Sequence, residues 1–139
     1  MSKQVLDVHQ MQHLQELGMD TSNASMCWIK DTEGNQHLSV HDEYCYETSF
    51  MNPIPAYTLQ DVLDALPNYV IDEEGNKYYL LIEMMNTEFD DWRVSYKSSD
   101  NDESQIGYFQ AFQLIDAAVR MLVLCAENGY VKTNRKGWI

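Results

Sequence analysis

Two cysteines and two histidines in the first third of the chain form the residue set best suited to chemistry. Cys27, His37, His41 and Cys45 have the donor atoms of a tetrahedral zinc site. The last three share a parity, so an extended strand would direct them to one face. However, ligands four residues apart on a strand lie about 13 Å from one another, too far for one ion unless the chain bends. The spacing therefore favours a polar strand face with two separate thiols over a zinc site.

A second histidine pair lies on a predicted helix. His9 and His13 are four residues apart and share a helix face, and Glu16 follows one turn later. This set could bind nickel or zinc, but it lacks the Glu directly after the first His that defines the zincin motif. Two histidines on a solvated helix face are the alternative. We therefore predict no metal site and no bound cofactor.

The sequence contains no evident catalytic motif. It has no GxSxG, no GxGxxG and no P-loop. Its carboxylates cluster in predicted turns, where water surrounds them and no apolar pocket shifts their pKa for acid–base work. Cys125 lies in the apolar stripe of the last predicted helix, which indicates an inert core thiol. We predict that the protein is not an enzyme, and a metal-dependent enzyme is the third-ranked hypothesis.

Hydrophobic periodicity predicts the elements that position these residues. Helices are predicted at 5–17, from Thr58 to Leu66 and at 109–128. The first should end at Gly18. The last should be a long core helix in which Asp116 pairs with Arg120. Strands are predicted at 25–31 and 36–41 as a hairpin, and at 69–72, 77–85 and 92–97 as a three-strand meander, with a loop at 42–57. Short turns imply an antiparallel sheet. We predict an α+β fold, with one domain over 1–131 in which about three helices pack on the sheet, a basic tail at 132–139, and no internal repeat.

Charge and composition exclude several classes of partner. The chain has 139 residues, and its 22 acidic against 9 basic residues give a net charge of −13. Such a field repels phosphate, so we predict neither direct nucleic-acid binding nor membrane binding. The N-terminal segment has no apolar core typical of a signal peptide. The three cysteines form no CxxC, which favours a reducing compartment, and we predict a cytoplasmic protein.

Four sequence blocks occur in an order that suggests a family. They are LQELGMDTSNASMCWI (14–29), IPAYTLQDVLDALP (54–67), YYLLIE with WRVSY (78–83 and 92–96) and LIDAAVRMLVLCAENGYV (114–131). The most specific signals are LxxLP and IDAAxxMLxxxxENGY. Together the blocks resemble small proteins common in bacteriophages, prophages and mobile elements of gut Bacteroides-type bacteria. That family has no assigned biochemical activity, so the resemblance implies a genomic setting and transfers no catalytic residues.

The missing catalytic motifs and this resemblance favour a non-enzymatic interaction or adaptor module. Aromatic and methionine side chains are typical of interfaces. We therefore predict a binding surface for a host or phage protein, or for a second copy of the chain, at Tyr44, Tyr46, Phe50, Met51 and Tyr57. The alternative is an acidic DNA mimic that inhibits a host defence or DNA-binding protein, because residues 1–131 carry a net charge of −16 from 6 basic and 22 acidic residues. A mimic would space its carboxylates like phosphates, whereas these cluster in turns.

Overall fold

The computed structural model describes residues 3–42, 52–85, 91–98 and 104–133. These residues form three helices and two antiparallel sheets, which confirms the predicted α+β class. The helices are α1 (Val8–Glu16), α2 (Leu59–Ala65) and α3 (Leu114–Glu127). The strands are β1 (Met26–Lys30), β2 (Gln36–Val40), β3 (Ile54–Ala56), β4 (Tyr69–Ile71), β5 (Lys77–Met84), β6 (Trp92–Ser98) and β7 (Gln105–Ala111).

The described residues fall into two compact units. One contains those of 4–61 together with Thr133, and the other contains Lys3 with those of 62–132. The predicted boundaries, a domain over 1–131 and a tail over 132–139, stay a prediction, and residues 134–139 lie outside the described part of the chain.

In the first unit, α1 begins later than predicted because Asp7 caps it. The Asp7 carboxylate accepts a hydrogen bond from the Gln10 backbone at 2.8 Å, and the Gln10 side chain accepts one from the Asp7 backbone at 3.1 Å. This capping box fixes the helix start. Leu6 therefore precedes the helix, and its backbone nitrogen donates to the Tyr57 carbonyl at 2.9 Å. The helix ends at the predicted place, where Gly18 adopts a φ of 88°.

The first sheet has the order β2-β1-β3. The predicted hairpin of β1 and β2 is confirmed, with Cys27 opposite Ser39. Strand β3 lies in the 42–57 segment, which contains Pro53 and Pro55 and is predicted to be a loop, and that prediction is wrong for Ile54–Ala56. Strand β3 is at the edge of the sheet, where a proline without an N–H can be accommodated.

Helix α2 begins directly after Thr58, as predicted, because Thr58 and Asp61 cap its first turn. The Thr58 hydroxyl accepts from the Asp61 backbone at 3.1 Å, and the Asp61 carboxylate accepts from the Thr58 backbone at 2.9 Å. The same carboxylate also accepts from the Ser25 backbone at 2.9 Å and from the Ser25 hydroxyl at 2.6 Å. Desolvation raises the pKa of Asp61, but these hydrogen bonds outweigh it and hold the pKa below the ordinary value.

The second sheet has the order β4-β5-β6-β7, so the predicted meander has a fourth strand. The prediction of a helix over 109–128 is wrong in its first residues, because Phe109 pairs with Val94 in β6. Gly107 makes the irregular pairing possible. It has a φ of 70°, which favours glycine, and a Cβ there would lie 2.9 Å from Cε of Met121, so the Met121 side chain would have to shift to admit it.

Helix α3 packs on β6 and β7 as the predicted core helix. Its buried face meets Tyr96, whose hydroxyl donates to the Pro67 carbonyl at 2.7 Å. At the first turn, the Lys3 ammonium donates to the Asp116 carboxylate at 2.9 Å. Lys3 is a partner that local sequence spacing could not indicate, since it lies far from Asp116 along the chain.

The β1–β2 and β4–β5 turns have the same structure, although no internal repeat is predicted for the chain. Each has the sequence Asp-x-Glu-Gly-Asn, starting at Asp31 and Asp72. In both, the aspartate carboxylate accepts from the backbone nitrogens of the third and fifth residues at 2.8–2.9 Å. The glycines, Gly34 and Gly75, have φ values of 85° and 88°. These carboxylates therefore stabilise turns.

Candidate functional site

The described members of the Cys27, His37, His41 and Cys45 candidate set each contact other groups. Cys27 is buried, and its Sγ lies 3.8 Å from a β2 carbonyl. His37 Nε2 lies 2.8 Å from the Asp31 carboxylate, and this hydrogen bond lowers the pKa of Asp31. His41 Nδ1 lies 2.9 Å from a backbone carbonyl. Cys45 lies outside the described residues, so the structure does not test the four residues as a set, and the absence of a zinc site stays a prediction.

The second candidate set remains a pair of exposed histidines. His9 and His13 are both exposed on α1. Within residues 3–42, 52–85, 91–98 and 104–133, no three His, Cys, Asp or Glu side chains group closely enough to hold a metal ion.

Most residues of the predicted interaction surface lie outside the part of the chain that the structure describes. Tyr44, Tyr46, Phe50 and Met51 lie outside the described residues. Tyr57 is only 2% exposed, and its hydroxyl donates to the Asn23 side chain at 2.8 Å. Burial raises the pKa of the Tyr57 phenol. The prediction that Tyr57 belongs to an exposed surface is therefore wrong, and this residue stabilises the first unit.

An open cleft of about 550 Å³ lies in the second unit beside the β4–β5 turn. Its lining is largely polar and comprises Asp72, Glu73, Glu74, Asn76, Tyr78, Ser98, Ser104, Ile106 and Tyr130. Desolvation raises the pKa of Asp72, but hydrogen bonds from Asn76, Tyr78 and Glu74 outweigh it and leave the pKa below the ordinary value. Asp72 is therefore an ionised turn residue and has none of the character of a general acid.

The buried thiol and phenol of the second unit are similarly unsuited to catalysis. Burial raises the pKa of Cys125 to about 11, although a hydrogen bond with Tyr96 opposes the rise. Burial also raises the pKa of Tyr96. Since a thiolate is the reactive form of cysteine, Cys125 is protonated and inert at neutral pH.

The most distinctive surface of the second unit is the sheet face opposite α3, which we call the tyrosine face. Cross-strand pairing directs alternate side chains of four strands to it. It comprises Tyr69, Ile71, Lys77, Tyr79, Leu81, Glu83, Arg93, Ser95, Lys97, Gln105, Tyr108 and Gln110. Five of its large apolar side chains are between 36% and 50% exposed, namely Tyr69, Ile71, Tyr79, Leu81 and Tyr108. Exposed apolar side chains gathered on one face of a sheet are a common feature of interaction surfaces.

Cations on this face lie over the tyrosine rings. The Lys77 ammonium is 4.1 Å from the ring centre of Tyr69 and 5.7 Å from that of Tyr79. The Arg93 guanidinium is 4.6 Å from the ring centre of Tyr108. The electron-rich ring faces attract these cations, and the cations restrict the rings in return.

Three buried polar atoms on the same face have no hydrogen-bond partner among the described residues. They are Oε1 of Glu83, Nε of Arg93 and Oγ of Ser95. Glu83 lies opposite Arg93, while Ser95 lies between Leu81 and Tyr108 in the neighbouring strands. Each buried unpaired polar atom costs about 1–3 kcal/mol of stability, so such atoms are rare in stable folds and three in one area require an explanation.

The tyrosine face could not be predicted from the sequence, because both faces of β5 carry apolar or aromatic residues. The alternation of Lys77, Tyr79, Leu81 and Glu83 was visible, but the intervening residues of β5 are also apolar or aromatic. Period-two alternation therefore could not distinguish the buried face from the exposed one. Tyr108 gave no strand signal of its own, because its segment comes directly before the apolar run of α3, and the predicted helix began at residue 109.

Comparisons with known proteins identify no relative. No protein-family model, no curated protein and no solved structure matches this chain. Among the described residues, no helix combines the length and the apolar character that crossing a bilayer demands.

Proposed function

We propose that the protein is a non-enzymatic protein-binding module and that the tyrosine face is its docking surface. The single observation that carries this proposal is the exposure of five large apolar side chains on one sheet face. Tyrosine and arginine are enriched in the buried centres of interfaces, and this face has both. The phage or mobile-element setting implied by the sequence resemblance makes a phage or host protein the expected partner.

The backbone of the face favours tight docking because it is already ordered. Strands β5 and β6 are paired along their lengths, from Tyr78 opposite Ser98 to Met84 opposite Trp92. The rings of Tyr69 and Tyr79 lie 6.2 Å apart at 53°, with Lys77 over both. A partner would therefore order few additional side chains on binding, which reduces the entropic cost of association.

The DNA-mimic alternative has less support. A mimic needs carboxylates in a row along an extended surface. Two of the described carboxylates, those of Asp31 and Asp72, accept backbone hydrogen bonds within their own turns. The mimic and the metal-dependent enzyme both stay predictions, as does a homodimer.

The test compares two matched pairs of substitutions in a capture experiment. Tyr79→Thr with Leu81→Thr removes two exposed apolar side chains from the tyrosine face, and Leu38→Thr with Val40→Thr removes two from the first sheet. Threonine preserves strand propensity in both. Each tagged protein is used to capture partners from a prophage-induced lysate, with quantitative mass spectrometry.

We expect a stoichiometric partner that the wild type and the Leu38/Val40 variant retain and that the Tyr79/Leu81 variant loses. Circular dichroism of each protein confirms that the fold is retained. Equal retention by all three proteins, equal loss in both variants, or capture of no stoichiometric partner by the wild type would each refute the proposal.

A further inference from the structure

The tyrosine face differs in charge from the rest of the chain. The whole sequence has 22 acidic and 9 basic residues. The strands of this face contribute three cations, Lys77, Arg93 and Lys97, and one carboxylate, Glu83. At its margin, the Asp91 carboxylate accepts a hydrogen bond from Gln110 at 2.9 Å. The strands of this face therefore carry more cations than carboxylates, in contrast to the chain as a whole.

These cations are not neutralised by ion pairs within the described part of the chain. Lys77 and Arg93 contact tyrosine rings instead of carboxylates. Glu83 lies directly across from Arg93, yet its Oε1 and the Arg93 Nε are both buried without a partner. Ring faces attract a cation but accept no strong hydrogen bond, so the two Nη atoms of Arg93, which are not among the buried unpaired atoms as Nε is, remain available for an acceptor.

We infer that the occupant of the tyrosine face is an acidic segment of a partner protein, whose carboxylates bind Arg93 and Lys97 while its apolar side chains pack against Tyr79 and Leu81. This inference rests on the proposed function and specifies the chemistry of the partner. Arginine presents a planar fork of donors that matches a carboxylate. Lys97 is the cross-strand partner of Tyr79, so charge and apolar contact alternate across adjacent positions.

A short acidic segment of a protein fits this surface better than a nucleic acid or a second copy of this chain. A nucleic acid would extend its phosphates beyond the face into the field of a chain with a net charge of −13. A second copy, docked face to face, would bring Lys77, Arg93 and Lys97 close to the same three cations. A short acidic peptide would contact only the cations of this face and would not extend into the negative field of the rest of the chain.

The test measures binding of defined probes by fluorescence anisotropy. The probes are a fluorescein-labelled peptide of repeating Glu-Ser-Glu-Leu, its Gln-Ser-Gln-Leu analogue, and an oligothymidylate of matched charge. The variant Arg93→Gln with Lys97→Gln is compared with Arg120→Gln plus Lys132→Gln. The two variants change net charge identically, and Arg120 and Lys132 are exposed residues away from the tyrosine face.

We expect the wild type and the Arg120/Lys132 variant to bind the acidic peptide alike and more tightly than the Gln analogue. The Arg93/Lys97 variant should bind it about ten-fold more weakly, since two charge-assisted contacts are lost. Equal weakening in both variants, no preference over the Gln analogue, or tighter binding of the oligothymidylate that depends on Arg93 would overturn the inference.

The lysate capture separates failure of this inference from failure of the proposed function. A partner that is lost with Tyr79→Thr and Leu81→Thr but retained with Arg93→Gln and Lys97→Gln refutes acidic recognition and leaves the docking face intact. A partner that both variants lose supports the inference.

Discussion

Removing the Ser95 hydroxyl should stabilise the protein, in contrast to most substitutions in a core strand. Ser95 is fully buried, and its Oγ has no hydrogen-bond partner among the described residues. The adjacent Tyr96 is also fully buried, but its hydroxyl donates to the Pro67 carbonyl at 2.7 Å. Each of two substitutions at neighbouring positions therefore removes one buried hydroxyl. Ser95→Ala removes an unpaired one, and Tyr96→Phe removes one that is hydrogen-bonded.

The magnitudes follow from the cost of desolvating a polar group. An unpaired buried hydroxyl costs about 1–3 kcal/mol, and alanine loses a few tenths in strand propensity, so Ser95→Ala should raise the free energy of unfolding by about 1 kcal/mol. Tyr96→Phe leaves the Pro67 carbonyl without its donor and should lower the free energy of unfolding by about 1–2 kcal/mol. For a chain of this length the melting temperatures of the two variants should differ by about 6–9 °C.

Urea unfolding followed by circular dichroism measures both changes. Equal m-values among the wild type and the two variants would show that the unfolding transitions are comparable. Destabilisation by Ser95→Ala as large as that by Tyr96→Phe would mean that the Ser95 hydroxyl has a partner, and the reasoning would be refuted. A gain in stability would instead identify Ser95 as a residue retained for a reason other than folding.

Three other properties can be measured on the same protein. Asp61→Asn should lower the free energy of unfolding by about 2 kcal/mol near neutral pH, because the carboxylate caps α2 and binds Ser25. The folded-state pKa of Asp61 lies below its ordinary value of 3.8, so this contribution is full above that pH and is lost as the pH falls through the folded pKa. Urea titrations at several pH values should therefore show the difference between wild type and variant shrinking in acid. Gly107→Ala should lower the free energy of unfolding, measured in urea, by about 2–3 kcal/mol, because the new Cβ must displace the Met121 side chain. Gly75→Ala should lower it by less, since Gly75 has a similar φ but open space around it. Cys125 should resist iodoacetamide at pH 8 until urea unfolds the protein, as peptide mass mapping would show, because the thiol is buried with a pKa of about 11; modification of the native protein would contradict this.

Local signals in the sequence were sufficient for most of the fold. The predicted start of α2 at Thr58 and the predicted end of α1 at Gly18 both hold in the structure. Such features depend on hydrogen bonds between residues close in sequence, so they are visible without tertiary information. The α+β class followed from the order of the predicted helices and strands.

Tertiary pairing decided what local signals could not. Residues 105–111 became a strand because β6 offers an edge for them, and Ile54–Ala56 became a strand because β1 does. In the same way, Tyr57 entered the first core while Tyr79 and Tyr108 remained exposed. A tyrosine is compatible with either environment, and only the elements packed around it determine which one it occupies.

The sequence by itself determined the acidic character of the chain, its helix caps, its Asp-x-Glu-Gly-Asn turns and its fold class, because these depend on composition and short-range geometry. The tertiary structure alone decided that Lys77, Arg93 and Lys97 share one exposed face with the tyrosines. Cross-strand register joins residues far apart in sequence, and a shift of one position would have sent every one of these side chains to the opposite face.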